Sequence, residues 1–236
     1  MLYPLSYEGG ACHRIGVLEA VIFDMDGVLI DSEPIWQDVE LEVLGGLGVP
    51  LTRELCRQTM GLRVEEAVAH WYARHPWTGP TIDQVAEEVV VGVIRAVQAG
   101  GTLEGGAAHA LDFCAARVDR LAVCSSSYYR VIDAVLDRCG IRHRFTVVHS
   151  AEDEVRGKPD PAVYRTTAAK LGIDPTRCLA IEDSPNGVVS AKGAGMVCVA
   201  VPEPGTEGDR RFYIADLILP SLADLDDDQW RRLDGR

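Results

Sequence analysis

The stretch AVIFDMDGVLIDSE, Ala20 to Glu33, sets an apolar run directly against four carboxylates. Ala20-Val21-Ile22-Phe23 reads as a strand buried on both faces. Asp24, Asp26, Asp31 and Glu33 crowd behind it. Like charges repel, and burial raises the cost of ionising each of them. A chain holds Asp24 and Asp26 together at the end of a buried strand when a cation or a reacting group uses their charge.

Similar apolar runs recur along the chain: EAVIFD (19–24), RLAVCS (120–125), FTVVHS (145–150), CLAIED (178–183), MVCVAVP (196–202) and ADLILP (215–220). Each is continuous rather than alternating, as in parallel strands covered on both sides. From Arg120 onward they alternate with helical patterns, YYRVIDAVLDRCG, DPAVYRTTAAKLG and SPNGVVSAKGAG, with Gly140, Gly172 and Gly195 where helices end. The fold class is therefore α/β, a doubly wound parallel sheet. Residues 33–102 differ. EPIWQDVELEVLGGLG, RELCRQTMG, RVEEAVAHWYARH and TIDQVAEEVVVGVIRAVQAG read as four helices with almost no strand signal, the last starting near Pro80-Thr81. This is an inserted α-helical cap domain, with 19–32 and 103–236 forming the core domain. GGTLEGG (100–106) is a turn-rich return to the sheet, LADLDDDQW a solvated final helix, and residues 1–18 a disordered leader.

The chain has 236 residues and a net charge of −13, which speaks against nucleic acid or an anionic membrane as partner. Seven scattered cysteines without a CxxC pair suggest reduced thiols in the cytoplasm, not a disulfide frame or a zinc site. No apolar run reaches a membrane span, and the N-terminus lacks the pattern of a signal peptide. With no heptad and no readable apolar patch, a monomer is the expectation.

In an open α/β sheet, ligands bind beyond the carboxyl ends of the strands. The polar residues expected there are Asp24 and Asp26, then Ser125, Ser126 and Ser127, then Lys158, then Glu182 and Asp183. Such a set suits one divalent cation and one phosphate. A carboxylate such as Asp24 can attack phosphorus, and a second one, Asp26, can move protons. Asp183 is the best second anchor for Mg²⁺, with Glu182 behind it. Ser125 and Ser126 stand where a strand turns into a helix, which makes a phosphate cradle. The Lys158 ammonium can neutralise a phosphoryl group. Each residue also has a plainer reading: turn residue for Asp24 and Asp26, helix cap for the serines and for Glu182-Asp183, solvated surface for Lys158. Their order along the chain is what lifts them above it.

DMDGVLIDSE, CSSS, GKPDP and IEDSPNG resemble the four ordered motifs of the haloacid dehalogenase superfamily, and the helical insertion resembles the cap of its phosphoglucomutase-like branch. GLRVEEAVAHWYARHPWTGP and EDSPNGVVSAKGAGMVCVAVP are similar to the phosphatases of hexitol phosphates and 2-deoxyglucose 6-phosphate. The resemblance implies an Mg²⁺-dependent phosphatase of small phosphorylated sugars or sugar alcohols working through an aspartyl-phosphate. Asp24 would be the nucleophile and Asp26 the acid and base. The metal would sit on the Asp24 carboxylate, the Asp26 carbonyl and Asp183, and Ser125, Ser126 and Lys158 would hold the phosphoryl group. Cys124, where relatives often carry Ala, should pack without changing the chemistry. A β-phosphoglucomutase-type mutase is the alternative, but such enzymes commonly carry a His where this chain has Trp36. Trp36, Trp71 and Trp77 are expected in the cap core, with contact to substrate as the second reading, and Arg63 either on the surface or reaching substrate. Two non-enzyme readings, a phospho-receiver and a catalytically dead binding relative, account for less of the chain: the first lacks a helical insertion, and the second leaves four intact motifs without a use.

Overall fold

The computed structural model describes residues 18–235. The leader assigned to 1–18 lies outside the described residues except for Leu18. That residue is only 6% exposed, and its N–H donates to the Asp234 carboxylate at 2.8 Å.

Among the described residues, six strands form one sheet: β1 (Ala20–Phe23), β2 (Arg120–Ser125), β3 (Val147–Ser150), β4 (Cys178–Glu182), β5 (Val197–Ala200) and β6 (Leu217–Ile218). All pairings are parallel, in the order β3-β2-β1-β4-β5-β6. Successive strands grow outward from β1 in both directions, which is the doubly wound arrangement. Residues alternate between two cores. Val21, Phe23, Leu121, Val123, Leu179 and Ile181 fill one face with large side chains. The other face is small, with Ala20, Ala122, Cys124, Cys178, Ala180 and Cys198. Small residues there let Tyr164 and Phe212 pack against the sheet. Cys124 is fully buried on this face, as expected of a small packing residue.

The insertion supplies α1 (Glu33–Gly46), the short α2 (Arg53–Cys56), α3 (Val64–Arg74) and α4 (Ile82–Gly100). The pattern over 53–61 does not stay helical. It tightens into a 3₁₀ turn over Arg57–Thr59, followed by Gly61 in the left-handed region (φ +77°). Thr81 caps α4: its hydroxyl accepts from the Gln84 N–H and the Gln84 side chain accepts from the Thr81 N–H. Five of the six valines of α4 (Val85, Val89, Val90, Val93, Val97) are buried, with Val91 on the outer face, and the helix packs on α1 and α3. Trp71 and Trp77 are buried in this region. The chain enters and leaves the insertion at one place, where Ile30 bridges Leu103 antiparallel and the Asp31 N–H donates to the Thr102 carbonyl.

The remaining helices are α5 (Ala107–Ala115), α6 (Tyr129–Cys139), α7 (Ala162–Leu171), α8 (Pro185–Gly193) and α9 (Asp227–Asp234). Two differ from the sequence reading. The α5 helix follows the turn-rich GGTLEGG and buries Ala107, Ala110, Leu111 and Cys114, an i, i+3, i+4, i+7 spacing masked by the glycines before it. The final helix is not merely solvated: α9 buries Trp230 and Leu233, and Trp230 meets Phe113 of α5 edge-on.

Candidate active site

The order of the sheet puts β2 and β4 on either side of β1, so the ends of these three strands form the crevice. Phe23 pairs with Val123 and with Ile181. One residue further on, Asp24, Cys124 and Glu182 therefore stand level. Lys158 arrives from the loop before α7 and is buried to 1% exposure. Its ammonium donates to Asp24 Oδ1 at 2.7 Å, to Glu182 Oε1 at 2.6 Å and to the Cys124 carbonyl at 3.3 Å. Glu182 also accepts from the Tyr164 hydroxyl at 2.6 Å and the Ser184 hydroxyl at 3.1 Å. This net of donors is what allows two carboxylates and an ammonium inside the protein. Burial alone would lower the Lys158 pKa, but Asp24 and Glu182 outweigh it and hold it well above its ordinary value. Burial pushes Asp24 up to about 7, with Lys158 pulling down and Glu182 and Asp26 pushing up.

Asp183 is the neighbour without compensation. It is 4% exposed, and its carboxylate takes no hydrogen bond or ion pair among the described residues. Burial, then Asp24 and Glu182, drive its pKa well above the ordinary range. Asp183 packs directly over Gly27, where an added Cβ would lie 2.1 Å from Asp183 Oδ2 and where φ is +73°. Only glycine fits there. Carboxylate oxygens of Asp24, Glu182 and Asp183 lie within 4.8 Å of one another. A buried, partnerless carboxylate beside Asp24 is the donor set that a hard divalent cation fits. Glu182 is occupied by Lys158, Tyr164 and Ser184, which agrees with the outer role expected for it.

Asp26 faces away from that cluster. Its Oδ1 accepts from the Ser32 hydroxyl at 2.7 Å and from Trp36 Nε1 at 2.8 Å, and its Oδ2 accepts from the Ser127 hydroxyl at 2.8 Å. Trp36 is thus not simply a cap-core side chain: the first helix of the insertion reaches over and holds Asp26. The three predicted phosphate ligands divide. Ser125 is buried and accepts from the Ser127 N–H. Lys158 is on Asp24. Ser126 lines the same cavity, but its hydroxyl donates to the Gly61 carbonyl at 2.8 Å.

Ser126 belongs to a set of bonds joining the insertion to the sheet-bearing part. Asn186 donates to the Met60 carbonyl and the Tyr128 hydroxyl to Glu65. Arg63 pairs with Glu65 and Glu66 and donates to the Glu154 carbonyl. Arg63 therefore spends its guanidinium on this seam. An added Cβ at Gly61 would meet Ser184 Oγ at 2.7 Å, so the seam closes tightly there.

The cavity beneath the insertion has Asp24, Asp26 and Asp183 on its sheet side. Its opposite wall is one face of α1, Glu33, Trp36, Gln37 and Glu40, completed by Cys56 and Met60. The sequence reading placed Trp36 in the cap core, named Glu33 only among the crowded acids, and missed Gln37 and Glu40. The i, i+4, i+7 spacing of Glu33, Gln37 and Glu40 was legible as a helix face, but not which way that face points.

Residues 18–195 match the haloacid dehalogenase-like hydrolase family. The chain is 42% identical to hexitol phosphatase B of Escherichia coli (strain K12) over 208 residues, covering 87% of this chain and 93% of that protein. It is 30% identical to a phosphorylated carbohydrates phosphatase of Thermotoga maritima, over 76% and 82% of the two chains. Among solved structures, CbbY from Rhodobacter sphaeroides in complex with phosphate superposes with a TM-score of 0.77 at 30% identity, covering 88% of this chain and 96% of that one. On this agreement of sequence and fold, the chain belongs to the haloacid dehalogenase-like hydrolases.

Proposed function

We propose that the protein is an Mg²⁺-dependent phosphatase of small phosphorylated sugars or sugar alcohols, working through an aspartyl-phosphate on Asp24. The observation that carries the reading is the pairing of two carboxylates two residues apart with opposite surroundings. Asp24 lies among an ammonium and a partnerless acid. Asp26 is held by three donors facing the cavity.

The substrate phosphoryl group docks above Asp24, where the Lys158 ammonium and the turn at Ser125 and Ser126 offset its charge. An Asp24 carboxylate oxygen bonds to phosphorus as the bond from phosphorus to the sugar oxygen breaks. Asp26 gives its proton to that departing oxygen, then takes one from the water that attacks the acyl-phosphate, releasing phosphate and restoring Asp24. Mg²⁺, held by the Asp24 and Asp183 carboxylates with the Asp26 carbonyl, would neutralise charge between nucleophile and phosphate. The insertion over 33–102 acts as a cap domain on a core of 19–32 and 103–236, and it excludes bulk water. The enzyme works as a monomer in the cytoplasm, with small molecules rather than nucleic acid or membranes as partners. In support, six cysteines among the described residues are free, and no described helix is long and apolar enough to cross a membrane.

The test is phosphate release, with Mg²⁺, from 2-deoxyglucose 6-phosphate, sorbitol 6-phosphate, mannitol 1-phosphate and β-glucose 1-phosphate. Fast release from one or two of them is expected. Conversion of β-glucose 1-phosphate to glucose 6-phosphate with almost no phosphate freed would replace the phosphatase with the mutase.

A further inference from the structure

The cap wall of the cavity carries charge of one sign only. Glu33 and Glu40 stand on the α1 face that looks across at Asp26, with Gln37 between them. Gln37 Nε2 donates to Glu33 Oε1 at 2.8 Å. Cys56 lines the cavity beside this face. No Arg and no Lys from the insertion lines the cavity. Two cations of the insertion, Arg53 and Arg57, bear on this face without lining the cavity. Arg53 donates to Gln37 Oε1 from behind at 3.1 Å and pairs with Asp38. Arg57 acts on Glu33 and on Glu203. On the sheet side, Lys158 is taken by Asp24 and Glu182.

This leaves the two halves of the cavity with opposite tastes. The half above Asp24 has an ammonium, a helix start and the partnerless Asp183 carboxylate suited to a cation, so it takes a phosphate. The half under α1 offers carboxylate oxygens, an amide and a thiol. Those groups suit hydroxyls, which donate to carboxylates and accept from the amide. They oppose a second anion, which would be buried among like charges with no partner.

We infer that the α1 face of Glu33, Gln37 and Glu40 selects monophosphates whose leaving group is a neutral polyhydroxyl chain and rejects leaving groups that carry a second phosphate or a carboxylate. The inference rests on the phosphatase reading and deepens it. It also separates this chain from a mutase, because a sugar bisphosphate intermediate would place its second phosphate against this wall.

The experiment compares kcat/KM for sorbitol 6-phosphate and 6-phosphogluconate, which differ at the far end by CH₂OH against a carboxylate, with glucose 1,6-bisphosphate as a third substrate and p-nitrophenyl phosphate as a generic one. The neutral compound should be favoured over both anionic ones by at least about 100-fold. Glu40→Gln and Glu33→Gln should each narrow that ratio, by about tenfold, chiefly by improving the anionic substrates. Ratios within about threefold in the wild-type protein overturn the inference and leave the phosphatase standing. Turnover of p-nitrophenyl phosphate with none of sorbitol 6-phosphate also overturns it, because the wall then fails to accept a polyol. No phosphate release from any of the four removes the phosphatase reading and the inference with it.

Discussion

The two walls of the cavity hold their polar groups in different ways. On the sheet side, the charges other than Asp183 are locked by their neighbours: Lys158 bridges Asp24 and Glu182, and Tyr164 and Ser184 secure Glu182 from behind. Those side chains come from strand ends whose register is set by a buried parallel sheet. On the side of the insertion, Glu33, Gln37 and Glu40 project from one helix face, where Gln37 donates to Glu33 and accepts from Arg53. On the proposed reading, the first wall serves a fixed reaction and the second a variable molecule. A phosphoryl group is the same in every substrate, so its site can be rigid. A leaving group differs, and a helix face can be rewritten without disturbing the sheet.

The sharpest way to break this division is at Asp24. Asp24→Asn keeps the shape and removes the nucleophile, so kcat should fall by about 10⁴-fold or more in a phosphate-release assay. Retained turnover would end the nucleophile assignment. Removing the metal with EDTA should silence the wild-type enzyme comparably, and readdition of Mg²⁺ should restore it.

Asp183→Asn tests the partnerless acid by stability as well as rate. In the metal-free protein, burial and the neighbouring acids raise the Asp183 pKa. Ionising it therefore costs folded-state stability as pH rises above the ordinary carboxylate value of 3.8. Near pH 4 the variant and wild type should melt together. By pH 8 in EDTA the variant should be more stable by about 1–3 kcal/mol, or a few degrees of Tm. Mg²⁺ should raise the Tm of wild type and not of the variant. A variant less stable than wild type at pH 8 in EDTA would show that protein donors hold Asp183 after all.

Trp36→Phe separates the walls where they touch. Phenylalanine keeps most of the ring packing and loses the N–H on Asp26. As a positioning residue, Trp36 should affect kcat by about 10- to 100-fold and leave KM nearly unchanged. An equal loss in KM would make it a substrate contact instead.

These differences also explain how much was legible beforehand. Strands β1 to β6 each announce themselves as short apolar runs, and the acids at their ends are adjacent in sequence to those runs, so Asp24, Asp26, Glu182 and Asp183 could be gathered without coordinates. Lys158 needed its neighbours Gly157 and Pro159 to be noticed. What escaped notice depends on long-range placement. Trp36 and Asp26 are ten residues apart, and nothing local says that the indole turns back onto the carboxylate. The direction of the Glu33-Gln37-Glu40 face depends on how the insertion closes over the sheet. The α5 helix was hidden because Gly101, Gly105 and Gly106 dominate the pattern just before Ala107, and α9 because its acids outnumber Trp230 and Leu233, the two residues that dock it. Legibility was highest where one strand carries both the fold signal and the chemistry.

The smallest effect falls on neighbouring serines that looked alike in sequence. Ser125 is buried beside Asp24 and accepts from the Ser127 N–H, so Ser125→Ala opens the turn that faces the phosphate, and kcat/KM should drop by about 10- to 100-fold. Ser126 donates to the Gly61 carbonyl across the seam between insertion and sheet. Ser126→Ala removes one of several bonds there, with Asn186 and Tyr128 still in place, and should change kcat/KM by about threefold or less. If the loss at Ser126 instead matches that at Ser125, its hydroxyl leaves Gly61 for the phosphate when substrate arrives, and the boundary between the reacting wall and the reading wall runs one residue further toward the cap than this structure draws it.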